Sequence, residues 1–374
     1  MASRFLFGFC LFFLFFCLPG HVAFAGDASD IAGSLDDRLL AAQVLLTGID
    51  GKESLSPAMA SLLERIPAGG IMLFRYNLDS PKAGVEKFLF EAGSLVTRHS
   101  SIPPFMAVDH EGGLVHRFGP GVERLPSAFS FWELAGREGE EAALAAAGAL
   151  YRRSAGEIHS LGITMVLGPV AETLTDESKI FLETRSYGPD ADFTAAAASA
   201  FLKSFEDEGI ACVVKHFPGN SAADPHGEVS SLAAGKDVLD EMVKPFAKII
   251  QNDNPPAIMV SHVIASALDS QKNASLSRVV IEDWLRGELG FKGIVLADDY
   301  SMGAVAASGL RPAAAAVEGI NAGVDMIMVW PNDLSAVHSA ILDALKSGRL
   351  SRERLLEAAG RVIACKMRFG LIAQ

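Results

Sequence analysis

Four clusters of polar residues stand directly behind short apolar runs. Asp109-His110-Glu111-Gly112-Gly113 follows the run 105–108, and Lys215-His216-Phe217-Pro218-Gly219 follows 211–214. Ser261-His262 follows 257–260, and Asp298-Asp299 follows the run ending at Leu296-Ala297. A carboxylate can serve as nucleophile or proton acceptor, and an imidazole exchanges protons near neutral pH. Lys and Arg donate to hydroxyls or anions. An Asp at such a place is also an ordinary helix cap, but capping does not explain four clusters in succession. A further triplet, Asp224-Pro225-His226, holds a carboxylate two residues from an imidazole. Taken alone it reads as a turn, with Asp capping and Pro fixing φ. Metal chemistry is not expected: no H-x-H follows an early strand, there is no H-E-x-x-H, and Asp224-x-His226 is a poor ligand set.

These clusters need a frame that brings them together. Apolar runs occur at 70–74, 105–108, 164–167, 211–214, 257–260, 293–296 and 325–329. They are continuously hydrophobic rather than alternating, which suits parallel strands covered on both faces. Helical patterns lie between them, such as 279–289 and 351–369, the latter closed by Gly370. About seven or eight such units predict an α/β fold, a (β/α)8 TIM-type barrel. Residues just past its strands converge on one mouth. A doubly wound sheet is the second choice, weakened because no G-x-G-x-x-G follows a strand.

The chain has 374 residues, half of them hydrophobic, with 32 Lys and Arg against 45 Asp and Glu, for a formal charge of −13. That composition is globular and argues against a nucleic-acid partner. Arg4, the apolar run 5–18 and Ala23-Phe24-Ala25 read as a secretory signal peptide cut after Ala25. The run is short for a spanning helix, so cleavage without stable membrane insertion is expected over an uncleaved anchor. Residues 1–25 are thus assigned to the leader and 26–374 to a single catalytic barrel domain, since no linker interrupts the chain. The expected location is the periplasm or the exterior. Cys212 and Cys365 remain after cleavage and read as two buried thiols, although an oxidising compartment would permit pairing. The oligomeric state is open.

Several motifs together resemble a known family. They are Ala107-Val108-Asp109-His110-Glu111-Gly112-Gly113 with Arg117-Phe118, then Thr184-Arg185-Ser186-Tyr187-Gly188, then Lys215-His216-Phe217-Pro218-Gly219. Asp224-Pro225-His226 follows, then the stretch 291–302 containing Ala297-Asp298-Asp299-Tyr300-Ser301-Met302, and Ala322-Gly323-Val324-Asp325-Met326. In this order they resemble glycoside hydrolase family 3, in particular its single-domain β-N-acetylglucosaminidases.

The resemblance implies a retaining exo-glycosidase, without a cofactor, acting on a small carbohydrate. Peptidoglycan fragments and chitooligosaccharides are the implied substrates. It implies Asp298 as nucleophile, His226 as acid/base and Asp224 as the partner that orients His226. It implies Asp109, Arg117, Arg185, Lys215 and His216 as ligands of the terminal sugar. The alternative for Arg185, and for Glu111, is a structural ion-pair network at the barrel mouth. Glu111 is not assigned a role, and His262 either lines the pocket or orients a strand end. The loop departs from the family pattern: Asn220-Ser221 stands where His-Gly is usual, Pro225 replaces Ser, and the stretch is about two residues short. Larger members resemble a barrel with a second domain that supplies the acid. Here the expectation is that the acid comes from the barrel itself. Three other readings stay open: a β-glucosidase, a phosphorylase of the same family, or a sugar-binding barrel without turnover.

Overall fold

The computed structural model describes residues 27–119 and 121–373. The expected leader lies outside the described residues. Eight parallel strands form the centre: β1 (Leu45–Gly48), β2 (Gly70–Leu73), β3 (Phe105–Gly112), β4 (Met165–Val170), β5 (Ala211–Phe217), β6 (Ala257–Val260), β7 (Ile294–Ala297) and β8 (Met326–Val329). Their order is β2-β1-β8-β7-β6-β5-β4-β3, and β3 pairs again with β2, so the sheet closes on itself. The seam between the ends of the chain is the β1–β8 pair, with Leu45 opposite Ile327. A helix follows every strand, from Pro57–Arg65 behind β1 to Pro331–Lys346 behind β8. This is the (β/α)8 barrel, and closure excludes the doubly wound sheet.

Local chemistry sets the ends of the elements. The Asp27 carboxylate accepts from the N–H groups of Ser29 and Asp30 at the first helix, and Ser351 caps Arg352–Arg368 through Arg354 N–H. Pro57, Pro312 and Pro331 open their helices where a missing N–H costs nothing. Gly370 takes φ +71° just past Phe369, the cap of the last helix. Residues Val279–Glu288 wind as a wider π-type helix rather than an ordinary α-helix.

The strands differ from the sequence expectation in two ways. β1 was not expected, because Leu45-Leu46-Thr47-Gly48 lies almost directly behind the helix Asp37–Gln43 and its apolar residues merge with that helix. In addition, β3, β4 and β5 run further than their apolar runs, to Gly112, Val170 and Phe217. Asp109, Glu111, Lys215 and His216 therefore lie inside strands, not behind them.

Side chains alternate across a strand, and the two faces are filled differently. Phe105 and Ala107 of β3, Met165 and Leu167 of β4, Ala211 and Val213 of β5, and Ile294 and Leu296 of β7 fill the barrel interior with their counterparts. Met106, Val108, Val166, Cys212 and Val214 pack outward against the helices. The helix Arg352–Arg368 closes the floor, where Val362 and Cys365 join the interior cluster.

Asp325, fully buried at the foot of β8, ties this helix down. Its carboxylate accepts from Arg286, from Arg354 Nη2 at 2.7 Å and from Arg361 Nη1 at 2.9 Å. On the same helix the buried Lys366 donates to Gln43 Oε1 at 2.8 Å and lies over the Phe105 ring. Cys212 and Cys365 are free and buried. Burial pushes the Cys365 thiol up to about 12 and raises Cys212 as well, so both are inert thiols.

Candidate active site

The interior columns of the barrel change character at its C-terminal end. On β3 the column Phe105, Ala107 continues into Asp109 and Glu111, while His110 points outward to Ser154 Oγ at 2.7 Å. On β5 the column Ala211, Val213 continues into Lys215, and on β7 Ile294, Leu296 is followed by Asp298. Strand alternation thus delivers these polar groups to one mouth.

They form a buried charge network. Lys215 Nζ lies 2.9 Å from Asp109 Oδ1 and 2.7 Å from Glu111 Oε1. Arg185 grips Glu111 with two bonds, Nε to Oε2 at 2.7 Å and Nη2 to Oε1 at 2.9 Å. Arg117 Nη2 stands 3.4 Å from Asp109 Oδ2. Burial would raise the Asp109 and Glu111 carboxyls, but the adjacent Lys215, with Arg117 for the one and Arg185 for the other, outweighs it. Both are held below the usual carboxylate range, Glu111 far below. Burial would lower Lys215, and the two carboxylates reverse that and raise it. Asp109, Glu111, Arg185 and Lys215 are therefore charged at neutral pH, with donors and acceptors side by side for vicinal hydroxyls.

Arg185 is placed by its neighbours in the sequence. Ser186 Oγ donates to Glu172 O at 2.7 Å, and the Tyr187 hydroxyl meets Tyr151 OH at 2.9 Å in the core. These anchors fix the chain immediately after Arg185. His216 Nδ1 lies 2.6 Å from Glu172 Oε1, and Asn220 Nδ2 donates to the same oxygen at 2.9 Å. His216 Nε2 then stands 3.5 Å from Arg185 Nη2. The peptide between Lys215 and His216 is cis.

Asp298 is partly exposed at the end of β7. Its Oδ1 accepts the Asp299 N–H at 2.9 Å, and its own N–H donates to Val260 O. Asp299 turns away, with its carboxylate bound to Ser301 N–H, Ser301 Oγ and Trp330 Nε1. His262 is buried between Ser275 Oγ and the Asp299 carbonyl, at 2.8 and 2.9 Å. Burial lowers its pKa, so it is a neutral support for the strand end.

Asp224 and His226 form an exposed pair, with Nδ1 at 2.6 Å from Asp224 Oδ1. Slight burial would raise the Asp224 carboxyl, but hydrogen bonds from the His226 N–H and ring outweigh it and lower it; the Arg185 charge adds to this. Their loop is tied to the segment just beyond Asp298: Gly303 N–H donates to His226 O at 2.9 Å and Ala304 N–H to Pro225 O at 3.1 Å. A Cβ at position 303 would meet the Gly227 backbone at 2.8 Å, so only Gly permits this approach. The rings of Phe181 and His226 have centroids 6.4 Å apart, and Phe181 also lies under the Arg185 guanidinium.

The structure thus links Asp109, Arg117, Arg185, Lys215 and His216 in one network. It sets the Asp224–His226 loop against the segment that begins at Asp298. Two residues were missed. Glu111 joins Lys215 to Arg185, and Glu172 holds His216 and Asn220. The signal for Glu111 was its spacing of two from Asp109 on one strand face. Glu172 was hidden because Gly168-Pro169 disguises the continuation of β4 to Val170. Among the described residues, no three His, Cys, Asp or Glu side chains gather as a metal site. A separate apolar groove of about 750 Å³ lies at the opposite end of the barrel, by Phe90, Pro104, Phe369 and Leu371, and contains none of these residues.

Comparison with known proteins agrees with this geometry. Residues 39–365 match the model of the glycosyl hydrolase family 3 N-terminal domain. A β-hexosaminidase of Methylococcus capsulatus is 33% identical over 305 residues, covering 79% of this chain and 85% of that protein. β-Hexosaminidase A of Pseudoalteromonas piscicida is 26% identical over 337 residues, covering 84% of this chain but 55% of that one. A solved family 3 β-N-acetylglucosaminidase from Paenibacillus superimposes with a TM-score of 0.82 at 30% identity, covering 91% of this chain and 64% of that one. The barrel, the order of its motifs and the charges at its mouth have one common explanation: the chain belongs to glycosyl hydrolase family 3.

Proposed function

We propose that this protein is a retaining exo-β-N-acetylglucosaminidase. The observation that carries the reading is the barrel mouth, where Asp298 follows β7 at the same C-terminal end that holds a buried, charged Asp109–Lys215–Glu111–Arg185 network. That network suits the hydroxyls of one terminal sugar ring: Asp109 accepts from them, and Lys215, Arg117 and Arg185 donate. The names of the hexosaminidase relatives support N-acetylglucosamine as that sugar.

The steps follow from the residues. Asp298 attacks the anomeric carbon and forms a glycosyl ester as the bond to the leaving oxygen breaks. His226, its Nδ1–H held by Asp224, passes the Nε2 proton to that oxygen. A water then enters, His226 takes its proton, and the hydroxyl displaces Asp298. Only the chain's own side chains are used. The leader pattern at 1–25 supports export, and an exported enzyme of this kind would meet peptidoglycan fragments or chitooligosaccharides outside the inner membrane.

The test is turnover of 4-nitrophenyl β-N-acetylglucosaminide against 4-nitrophenyl β-glucoside, each with and without phosphate. Hydrolysis of the first, independent of phosphate and with retained configuration, is expected. Folded protein inert on both overturns the reading; a sugar 1-phosphate product replaces it with phosphorolysis.

A further inference from the structure

The polar half of the mouth layer faces an aromatic half that the steps above do not use. The interior column of β2 continues beyond Met72 into Phe74, and that of β8 continues beyond Met326 and Met328 into Trp330. Continued by one residue, the β2–β3 register sets Phe74 opposite Asp109, and Trp330 lies two residues beyond the position opposite Asp298, at the same end of the barrel. Phe74 and Trp330 stack with ring centroids 5.0 Å apart and planes 15° apart. Tyr76 extends the array, 5.9 Å and 10° from Phe74.

The array is built, not incidental. Phe74 and Trp330 meet across the end of β1, where Gly48 leaves room; a Cβ there would meet the Phe74 ring at 3.3 Å. Asn77, fully buried, accepts the Phe74 N–H at 2.9 Å and donates to the carbonyls of Ile49 and Gly51. The Tyr76 hydroxyl donates to Ile49 O at 2.8 Å. Trp330 Nε1 donates to Asp299, the residue that follows Asp298.

Yet the rings are open to solvent: Tyr76 is 50% exposed and Trp330 40%, while Glu111 and Lys215 across the mouth are almost wholly buried. Large aromatic faces left exposed at a rim mark a binding surface. The negative face of an aromatic ring attracts the C–H-lined face of a pyranose, as it attracts the edge of another ring.

We propose that Trp330, backed by Phe74 and Tyr76, is the platform on which the ring of the leaving sugar stacks. The inference rests on the glycosidase reading above and deepens it. The buried charges take the terminal residue, and the exposed rings take the next one. Preference for oligosaccharides over simple glycosides then resides in this array.

The experiment compares kcat/KM for N,N′-diacetylchitobiose and for methyl β-N-acetylglucosaminide, whose leaving group has no ring. The ratio of the two is the readout. Trp330→Ala is expected to lower that ratio by about 10-fold, the order of a lost aromatic stack with its buried area. Trp330→Phe, which keeps a ring but not the bond to Asp299, is expected to keep most of it. Trp330→Leu reads the same ratio if the Ala variant does not fold. A ratio unchanged in a folded Ala or Leu variant overturns the platform, including the case where both substrates lose rate equally, which would place Trp330 beside the terminal sugar. Wild-type protein inert on both substrates overturns the glycosidase reading itself, and the platform with it.

Discussion

One oxygen of Asp224, Oδ1, accepts both the backbone N–H of His226, at 3.0 Å, and its ring Nδ1, at 2.6 Å. The double contact fixes the imidazole with Nε2 outward and keeps the lowered Asp224 carboxyl ionised. His226→Ala is expected to cut kcat on chitobiose by ~10²–10⁴-fold, the usual span for a lost general acid. The loss should be much smaller on 2,4-dinitrophenyl glycosides, whose leaving group needs no proton. Equal losses on both substrates would remove the proton-transfer role.

Asp298 is expected to carry the covalent intermediate. A slow 5-fluoro glycosyl substrate should add one sugar mass to the intact protein, and peptide mapping should place it on Asp298. Asp298→Ala should neither label nor turn over substrate. Label on Asp299 would overturn the assignment, since that carboxylate is engaged by Ser301 and Trp330.

Glu111 is a second kind of test, because it neutralises two buried cations. Glu111→Gln leaves Lys215 and Arg185 short of a negative partner and is expected to cost about 3–5 kcal/mol at pH 7, read by urea unfolding. The folded-state pKa of Glu111 lies below its unfolded value. Its contribution is therefore complete above the unfolded value and is lost as pH falls toward the folded one. The gap between variant and wild type should shrink progressively below about pH 4. A gap that is flat with pH would contradict the charged network.

Lys366 is the converse case, a buried charge that costs stability rather than supplying it. It is wholly buried, its ammonium donates to Gln43 as its one hydrogen-bond partner among the described residues, and burial pushes its pKa down to about 7. The unfolded chain holds that proton up to about pH 10. Wild-type stability from this group should therefore rise with pH between about 7 and 10, and be lowest below 7. Lys366→Met is expected to raise stability by about 1 kcal/mol or more at pH 6 and to flatten that slope. A destabilised variant at pH 6 would show that the Gln43 bond outweighs the cost of burying the charge.

The strand-and-helix rhythm was legible because buried parallel strands are plain apolar runs. Ala257–Val260 matches its run residue for residue. β1 was not legible: its four residues have no turn signal separating them from the helix before. The charged mouth was legible as polar residues behind strands, but not as the network it is. Lys215 touches Asp109 and Glu111 across more than a hundred residues of chain, and only strand alternation in a closed barrel brings them together. The aromatic half escaped for a related reason. Phe74 and Trp330 look like ordinary strand ends until the closing of β2, β1 and β8 sets them side by side.

The pairing of Leu45 with Ile327 has a consequence for synthesis. The first strand of the barrel to leave a ribosome must wait for the last before its second edge is covered. Until Met326–Val329 has emerged, the growing chain is a half-barrel with two open edges, and its floor stays open until Arg352–Arg368 follows. Edges that wait so long invite wrong partners. The nascent polypeptide thus depends on being kept apart from its neighbours until the helix Arg352–Arg368 has been made.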